Sequence, residues 1–233
     1  MSIWSIIQDI ILFFKSSSEE KLQKQNFSST NNKFIQTLLL SLKCYVILFI
    51  VLLMLSFFLA PFKVFELVPP RPVLDEYPLL LIMLVAPFYE EIMFRLPLIF
   101  DKKYIIISIS IAILFLNKHD LIFAIILLVV FISISTFLLY NKKIKLSNTL
   151  EQFWTNHFNI VFYTLCISFG LLHIFNFKEM TTAQAILSPL AAFPQIVMGL
   201  FMGYVRIRFN NGLIIAILLH IYQNSITTLW LSI

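Results

Sequence analysis

Three short patterns hold the residues that could do chemistry. The first reads Pro87-Phe88-Tyr89-Glu90-Glu91-Ile92-Met93-Phe94-Arg95, two adjacent carboxylates with a guanidinium four residues after the second. On a helix Glu91 and Arg95 meet on one face, while Glu90 is turned about 100° away and can address another group. The second, Phe169-Gly170-Leu171-Leu172-His173, places a ring and an imidazole on one face. The third, His220-Ile221-Tyr222-Gln223-Asn224, does the same for an imidazole and an amide. Adjacent carboxylates in a low dielectric tend to have one raised pKa, which suits a general acid or base. Each pattern alone also has a plainer reading: a structural salt bridge for Glu91 and Arg95, and helix–helix hydrogen bonds for His173, His220 and Asn224. A second carboxylate, which one arginine cannot fully satisfy, tilts the balance towards chemistry.

The chain around them is 233 residues long, 60% hydrophobic and 12% charged, with a mean hydropathy of +0.91. A soluble domain carries about 25% charged residues, so this chain lacks the polar groups to cover a soluble surface. The same apolar excess excludes disorder. Its 4 glycines and 25 phenylalanines exclude a flexible linker protein and a Gly-rich phosphate loop. The composition predicts an all-α, polytopic membrane helical bundle in the lipid bilayer. The net charge of +5 belongs to loops flanking the membrane, with no nucleic-acid partner.

Polar residues Ser2, Ser5, Gln8 and Asp9 recur at helical spacing among apolar ones, which predicts an N-terminal amphipathic helix lying at the interface. A dozen residues at ~1.5 Å each cannot cross a ~30 Å hydrocarbon core. Residues 15–33 read as a mobile polar linker, so 1–33 form an N-terminal unit and 34–233 the transmembrane domain. About seven spans are expected, at 34–60, 78–100, 104–117, 121–140, 157–176, 185–205 and 212–232. The third is short, and Pro189 and Pro194 interrupt the sixth.

Lys and Arg set the orientation. Lys15, Lys21, Lys24, Lys33, Lys102, Lys103, Lys142, Lys143, Lys145, Arg206 and Arg208 fall on the N-terminal side. Only Lys63, Arg71, Lys118 and Lys178 fall on the other. This predicts a cytoplasmic N-terminus, in a protein of the cell membrane. Cys44 and Cys166 lie in apolar runs and read as small lipid- or core-facing residues. His119 and His157 fall near span ends and read as interfacial. Glu90, Glu91 and Arg95 lie inside a span, where each charge costs about 2.5–3.5 kcal/mol unless paired or facing a wet cavity. Three spans each offering such groups argue that the groups converge. Gly199 and Gly203, four apart, allow close helix approach between them.

The motifs EExxxR, FxxxH and HxxxN, in this order over residues 78–225, closely resemble the CAAX protease and bacteriocin-processing family, the Abi family of intramembrane endopeptidases. Arg206 and Arg208 before Gly212 look like the basic segment that often precedes that family's last motif. The resemblance implies hydrolysis of peptide bonds in a membrane-associated peptide or protein by glutamate-activated water. It implies that Glu90 is the general base, helped by His173, and that His220 and Asn224 bind the oxyanion. Glu91 and Arg95 would position Glu90 and tune its charge. No cofactor is implied.

Other readings stand beside this one. A zinc protease would use His173, His220 and a glutamate as ligands, although no HExxH is present. A protein of the same fold could bind a membrane peptide without cutting it, as an immunity or scaffold protein. A proton or ion carrier is a further reading, and no internal repeat supports it. No residue fixes the substrate or the oligomeric state. The expected spans also place His220 about 12 Å from the cytoplasmic end and His173 about 24 Å. For the two to meet, the fifth span must begin nearer Phe162, or helices must tilt.

Overall fold

Inside a bilayer each backbone N–H and C=O must be satisfied within the protein, so long apolar runs become helices. In a computed structural model of the chain, every regular element among the described residues is helical. These residues are 3–16, 18–22, 34–59, 78–117, 120–141, 145–176 and 180–231. All four basic residues expected on the outer face, together with His119, Lys24, Lys33, Lys142 and Lys143, lie outside this set.

The elements in order are α1 (Ile3–Lys15), α2 (Ser18–Leu22), α3 (Phe34–Leu59) and, after a π-helical turn at Leu81–Val85, α4 (Ala86–Phe94). A 3-10 turn at Leu96–Leu98 leads into α5 (Lys102–Leu116), α6 (Leu121–Tyr140) and α7 (Leu146–Asn156). Then come α8 (Phe158–Leu172) with a 3-10 turn at His173–Asn176, α9 (Thr182–Ala191), α10 (Phe193–Arg208) and α11 (Gly212–Leu231).

Among the described residues, four stretches are long and apolar enough to cross a membrane: Thr37–Phe58, Leu121–Tyr140, Phe158–Asn176 and Thr182–Arg208. With the other apolar helices these make the expected membrane bundle, while the exact count of seven is not confirmed on these criteria. The expected second span is divided between the π turn, α4 and a 3-10 turn, and α5 has 15 residues, about 22 Å at 1.5 Å each. Gly212–Thr228 is a shorter apolar stretch.

Local signals explain several boundaries. Asp101 accepts from the Lys103 amide and starts α5, and Asp120 accepts from the Phe123 amide and starts α6. These side chains take up amides that a helix start leaves without partners. Thr181 and Gln184 form a reciprocal capping box at the start of α9. The sixth span, interrupted by two prolines, breaks at Ala192 into α9 and α10.

The core lies between α8 and α10, with α1, α3 and α11 packed around them. Phe158, Phe162, Cys166 and Phe169 of α8 meet Met202, Tyr204 and Val205 of α10, all but excluded from solvent. Close approach is possible because α10 carries glycine at the contact. A Cβ on Gly199 would collide with the Cys166 carbonyl and the Phe169 ring, and one on Gly203 with Cys166 Sγ and Phe162. Both cysteines are therefore core residues, and both are free thiols. By contrast α6 buries only Ala124 and Leu139, as befits a helix facing lipid.

The N-terminal helix meets the expectation of an amphipathic element and adds to it. Trp4, Ile11 and Leu12 face outward, while Ile6 and Phe13 enter the core. Asp9 turns inward, accepting from Tyr204 Oη at 2.7 Å and forming an ion pair with Arg208. The polar linker is in part an ordered piece of the bundle. Lys21 of α2 is 1% exposed, donating to Asn159 Oδ1 at 2.8 Å and the Ser16 carbonyl at 2.9 Å. Its ammonium also lies 5.4 Å from the rings of Phe13 and Tyr163. Four partners hold a lysine that sequence assigns to solvent.

Candidate active site

Helix α4 exists to carry charge into the bundle. Glu90 and Glu91 lie towards its end, Arg95 follows directly after it, and α11 packs beside it with His220 and Asn224. Glu91 is fully enclosed and makes two contacts: its Oε2 lies 3.3 Å from Arg95 Nε, and its Oε1 lies 2.9 Å from His220 Nδ1. An ionised carboxylate only accepts, so the Nδ1 of His220 carries the proton in this bond. That leaves Nε2 pointing at Glu90, with Oε2 at 3.6 Å. Neither Glu90 Oε2 nor His220 Nε2 has a hydrogen-bond partner among the described residues. Glu90 retains 13% side-chain exposure against 0% for Glu91, with its Oε2 turned inward beside His220.

Arg95 is fully enclosed and joins three elements. Besides Glu91, it donates from Nη2 to the Gly199 carbonyl of α10 at 3.2 Å. Its guanidinium lies 3.9 Å from the centre of the Phe169 ring of α8, a favourable cation–π placement. Its own carbonyl accepts from Arg206 Nε at 3.1 Å. Its Nη1 is left without a partner among the described residues.

Phe169 is the hub that sequence named only as a spacing residue. Its ring meets His173 edge-on at 4.9 Å, His220 at 5.6 Å and Phe94 at 5.7 Å between centroids. This answers the mismatch in depth between the histidines. Helix α8 starts at Phe158 and not near Phe162, and His173 sits at its end, bonding the Phe169 carbonyl through Nδ1 at 3.0 Å. Phe169 lies about 17 Å along α8 and His220 about 12 Å along α11, so ring and imidazole meet at similar depth. Both histidines share one phenylalanine.

Asn224 lies one turn beyond His220 and donates from Nδ2 to the Ile82 carbonyl at 3.2 Å, within the π-helical turn before α4. Glu90, Glu91, Arg95 and His220 thus form one contact cluster; Asn224 flanks it on α11, and His173 adjoins it through Phe169. His157 is exposed at the junction of α7 and α8, with Phe153 against its ring. Among the described residues no three His, Cys, Asp or Glu side chains converge at metal-holding distances.

Sequence reasoning passed over α7 altogether. Leu146, Leu150 and Phe153 fall at helical spacing on an otherwise polar stretch, which is the signal of an amphipathic surface helix. Trp154 of α7 donates to the Pro97 carbonyl at 3.0 Å and packs on Phe100. The turn immediately after Arg95 is anchored from this side.

A bundle of apolar helices enclosing two carboxylates, a guanidinium and an imidazole is an integral membrane protein with a buried polar centre. Residues 74–226 match the type II CAAX prenyl endopeptidase Rce1-like family, a region that contains all three motifs, and the chain belongs to that family. Searches of curated proteins and of solved structures return no match.

Proposed function

We propose that the protein is an intramembrane endopeptidase that cleaves a membrane-associated peptide with water activated by Glu90. The observation that carries this reading is the pair Glu90 Oε2 and His220 Nε2, 3.6 Å apart and without hydrogen-bond partners, beside a Glu91 that faces both Arg95 and His220. A water seated beside the pair can give its proton to Glu90 as its oxygen attacks the scissile carbonyl. With Nδ1 turned to Glu91, the Nε2 of His220 faces the reacting centre, and in the form with hydrogen on both ring nitrogens its Nε2–H can donate to the developing oxyanion. The amide of Asn224 has two N–H bonds and uses one on Ile82, which leaves the second for the same oxygen. His173, next to Phe169, completes the set as the helper of Glu90.

Metal independence is part of the proposal, supported by the donor set: Glu91 lies between Arg95 and His220 Nδ1, and His173 Nδ1 is bonded to the Phe169 carbonyl. The family's description points to a prenylated CAAX tail as the first substrate to offer. The test uses the full chain in nanodiscs with a farnesylated CAAX peptide whose cleavage is read by mass spectrometry. Glu90→Gln is expected to reduce turnover by about 10²–10⁴, and a strong chelator to leave wild type unchanged. Undiminished cleavage by Glu90→Gln defeats the general-base assignment. Loss of activity to the chelator favours the zinc reading. A wild type that binds such peptides without cutting any supports the scaffold reading.

A further inference from the structure

The π-helical turn before α4 contains a carbonyl that its own helix cannot satisfy. The Ala86 amide is given to Leu81 O, five residues back. In the same register Ile82 O requires the amide of residue 87, which is proline and has no N–H. A carbonyl left open at membrane depth is costly, and prolines persist in such helices where a neighbour supplies the missing donor. Here the donor is Asn224 Nδ2 of α11, at 3.2 Å.

We propose that Pro87 is a positioning residue for the site. By withholding an N–H from Ile82 it reserves that carbonyl for Asn224, and the bond fixes the Asn224 amide one turn from His220. Pro87 is itself buried, within the first turn of α4 and three residues before Glu90. One imino acid therefore sets two things: the start of the helix that carries the carboxylates, and the orientation of the amide on the opposing helix. The amide oxygen is not interchangeable with the nitrogen in this role, because only the NH2 group can donate to a carbonyl. The geometric proposal stands independently of activity; its kinetic consequence rests on the endopeptidase reading.

The experiment is a double-mutant cycle on the full chain in nanodiscs, combining Asn224→Ala with Pro87→Ala. In wild type, Asn224→Ala strands the Ile82 carbonyl and is expected to lower Tm by about 3–8 °C. In the Pro87→Ala background residue 87 has an amide to offer Ile82, and the same substitution is expected to lower Tm by less than half as much. Equal losses in the two backgrounds overturn the proposal. A second readout follows the Asn224 side-chain amide by NMR in protein labelled with [15N]Asn, assigned by its disappearance in Asn224→Ala. Slow hydrogen exchange in wild type supports the bond. Fast exchange in wild type overturns the proposal even if Pro87→Ala fails to fold.

For the reaction, Pro87→Ala is expected to lower kcat on the farnesylated peptide about tenfold with KM held within twofold, since a transition-state donor loses its anchor. An unchanged kcat overturns the positioning role. If wild type itself cleaves nothing, the endopeptidase reading fails while the Tm cycle and the exchange measurement still decide the link between Pro87 and Asn224.

Discussion

Glu91 and His220, 129 residues apart in the chain, meet at 2.9 Å with both side chains shut off from solvent. The contact spends a charge inside the bundle to fix which nitrogen of the imidazole faces Glu90. Because Arg95 holds the other oxygen of Glu91, carboxylate, imidazole and guanidinium behave as one unit. Glu91→Gln keeps the shape and removes the charge, leaving Arg95 as a buried cation. Breaking such a pair costs about 3–5 kcal/mol. The variant is expected to unfold at least about 6 °C below wild type, measured by thermal melts in nanodiscs.

Phe169→Leu tests the shared ring. Leucine keeps the apolar character but loses the face under Arg95 and the edges against both histidines. Cation–π and aromatic contacts together are worth about 1–3 kcal/mol here. The expected outcome is a modest fall in Tm with a larger fall in turnover, at least about tenfold. Turnover equal to wild type would show that the histidines are placed by other contacts.

Gly199→Ala tests how closely α8 and α10 must approach. A methyl group there meets the Cys166 carbonyl and the Phe169 ring at once. Overpacking of this kind costs about 1–3 kcal/mol, and it pushes away the carbonyl that Arg95 uses. Both Tm and peptide cleavage should fall. An additive combination with Phe169→Leu would contradict a shared strain, since neighbours in contact are expected to couple.

Asp9→Asn removes the charge that ties α1 to Arg208 while sparing an acceptor for Tyr204. Helix α1 should loosen and expose the bond after Lys15 to trypsin. Faster cleavage at that site, followed by peptide mass, is the expected result.

Lys21 predicts a pH dependence. Burial holds its ammonium below the ordinary value of 10.5, against an opposing pull from Glu20. The unfolded chain then binds this proton more tightly than the folded one. Stability contributed by Lys21 therefore rises with pH across the window between the lowered value and 10.5. Relative to Lys21→Met, wild type should gain stability on passing through that window, as read by melts from pH 8 upward. A difference that is flat with pH contradicts the inference.

Much of this site was readable from residue types alone. Charges at Glu90, Glu91 and Arg95 inside an apolar run had to find partners, and His220 was among the few polar groups deep enough to serve. The length of the apolar runs fixed most helix positions within a few residues. What spacing could not reveal was how partners are shared. Nothing in the order of residues says that Glu91 turns to His220, or that Phe169 lies between two imidazoles, because both facts depend on the angle between helices. Boundaries set by single side chains were also hidden. Helix α7 was obscured by its polar composition, and Lys21 by its charge, although Asn159, the Ser16 carbonyl and two rings hold it. The division of the second span arises from Pro87 and the π turn, where no run length changes.

The pairing of Asp9 with Arg208 joins residues 199 positions apart, and this has a consequence for assembly. At about 5–20 residues per second, α1 is made roughly 10–40 s before the helix end that receives it. During that interval Phe13 and Asp9 lack their α10 partners, Tyr204 and Arg208. An interfacial helix can wait at the membrane surface, where its apolar side is sheltered by lipid. Closure of the bundle is then a late step of biosynthesis, with α1 gaining its full set of partners only after α10 is complete.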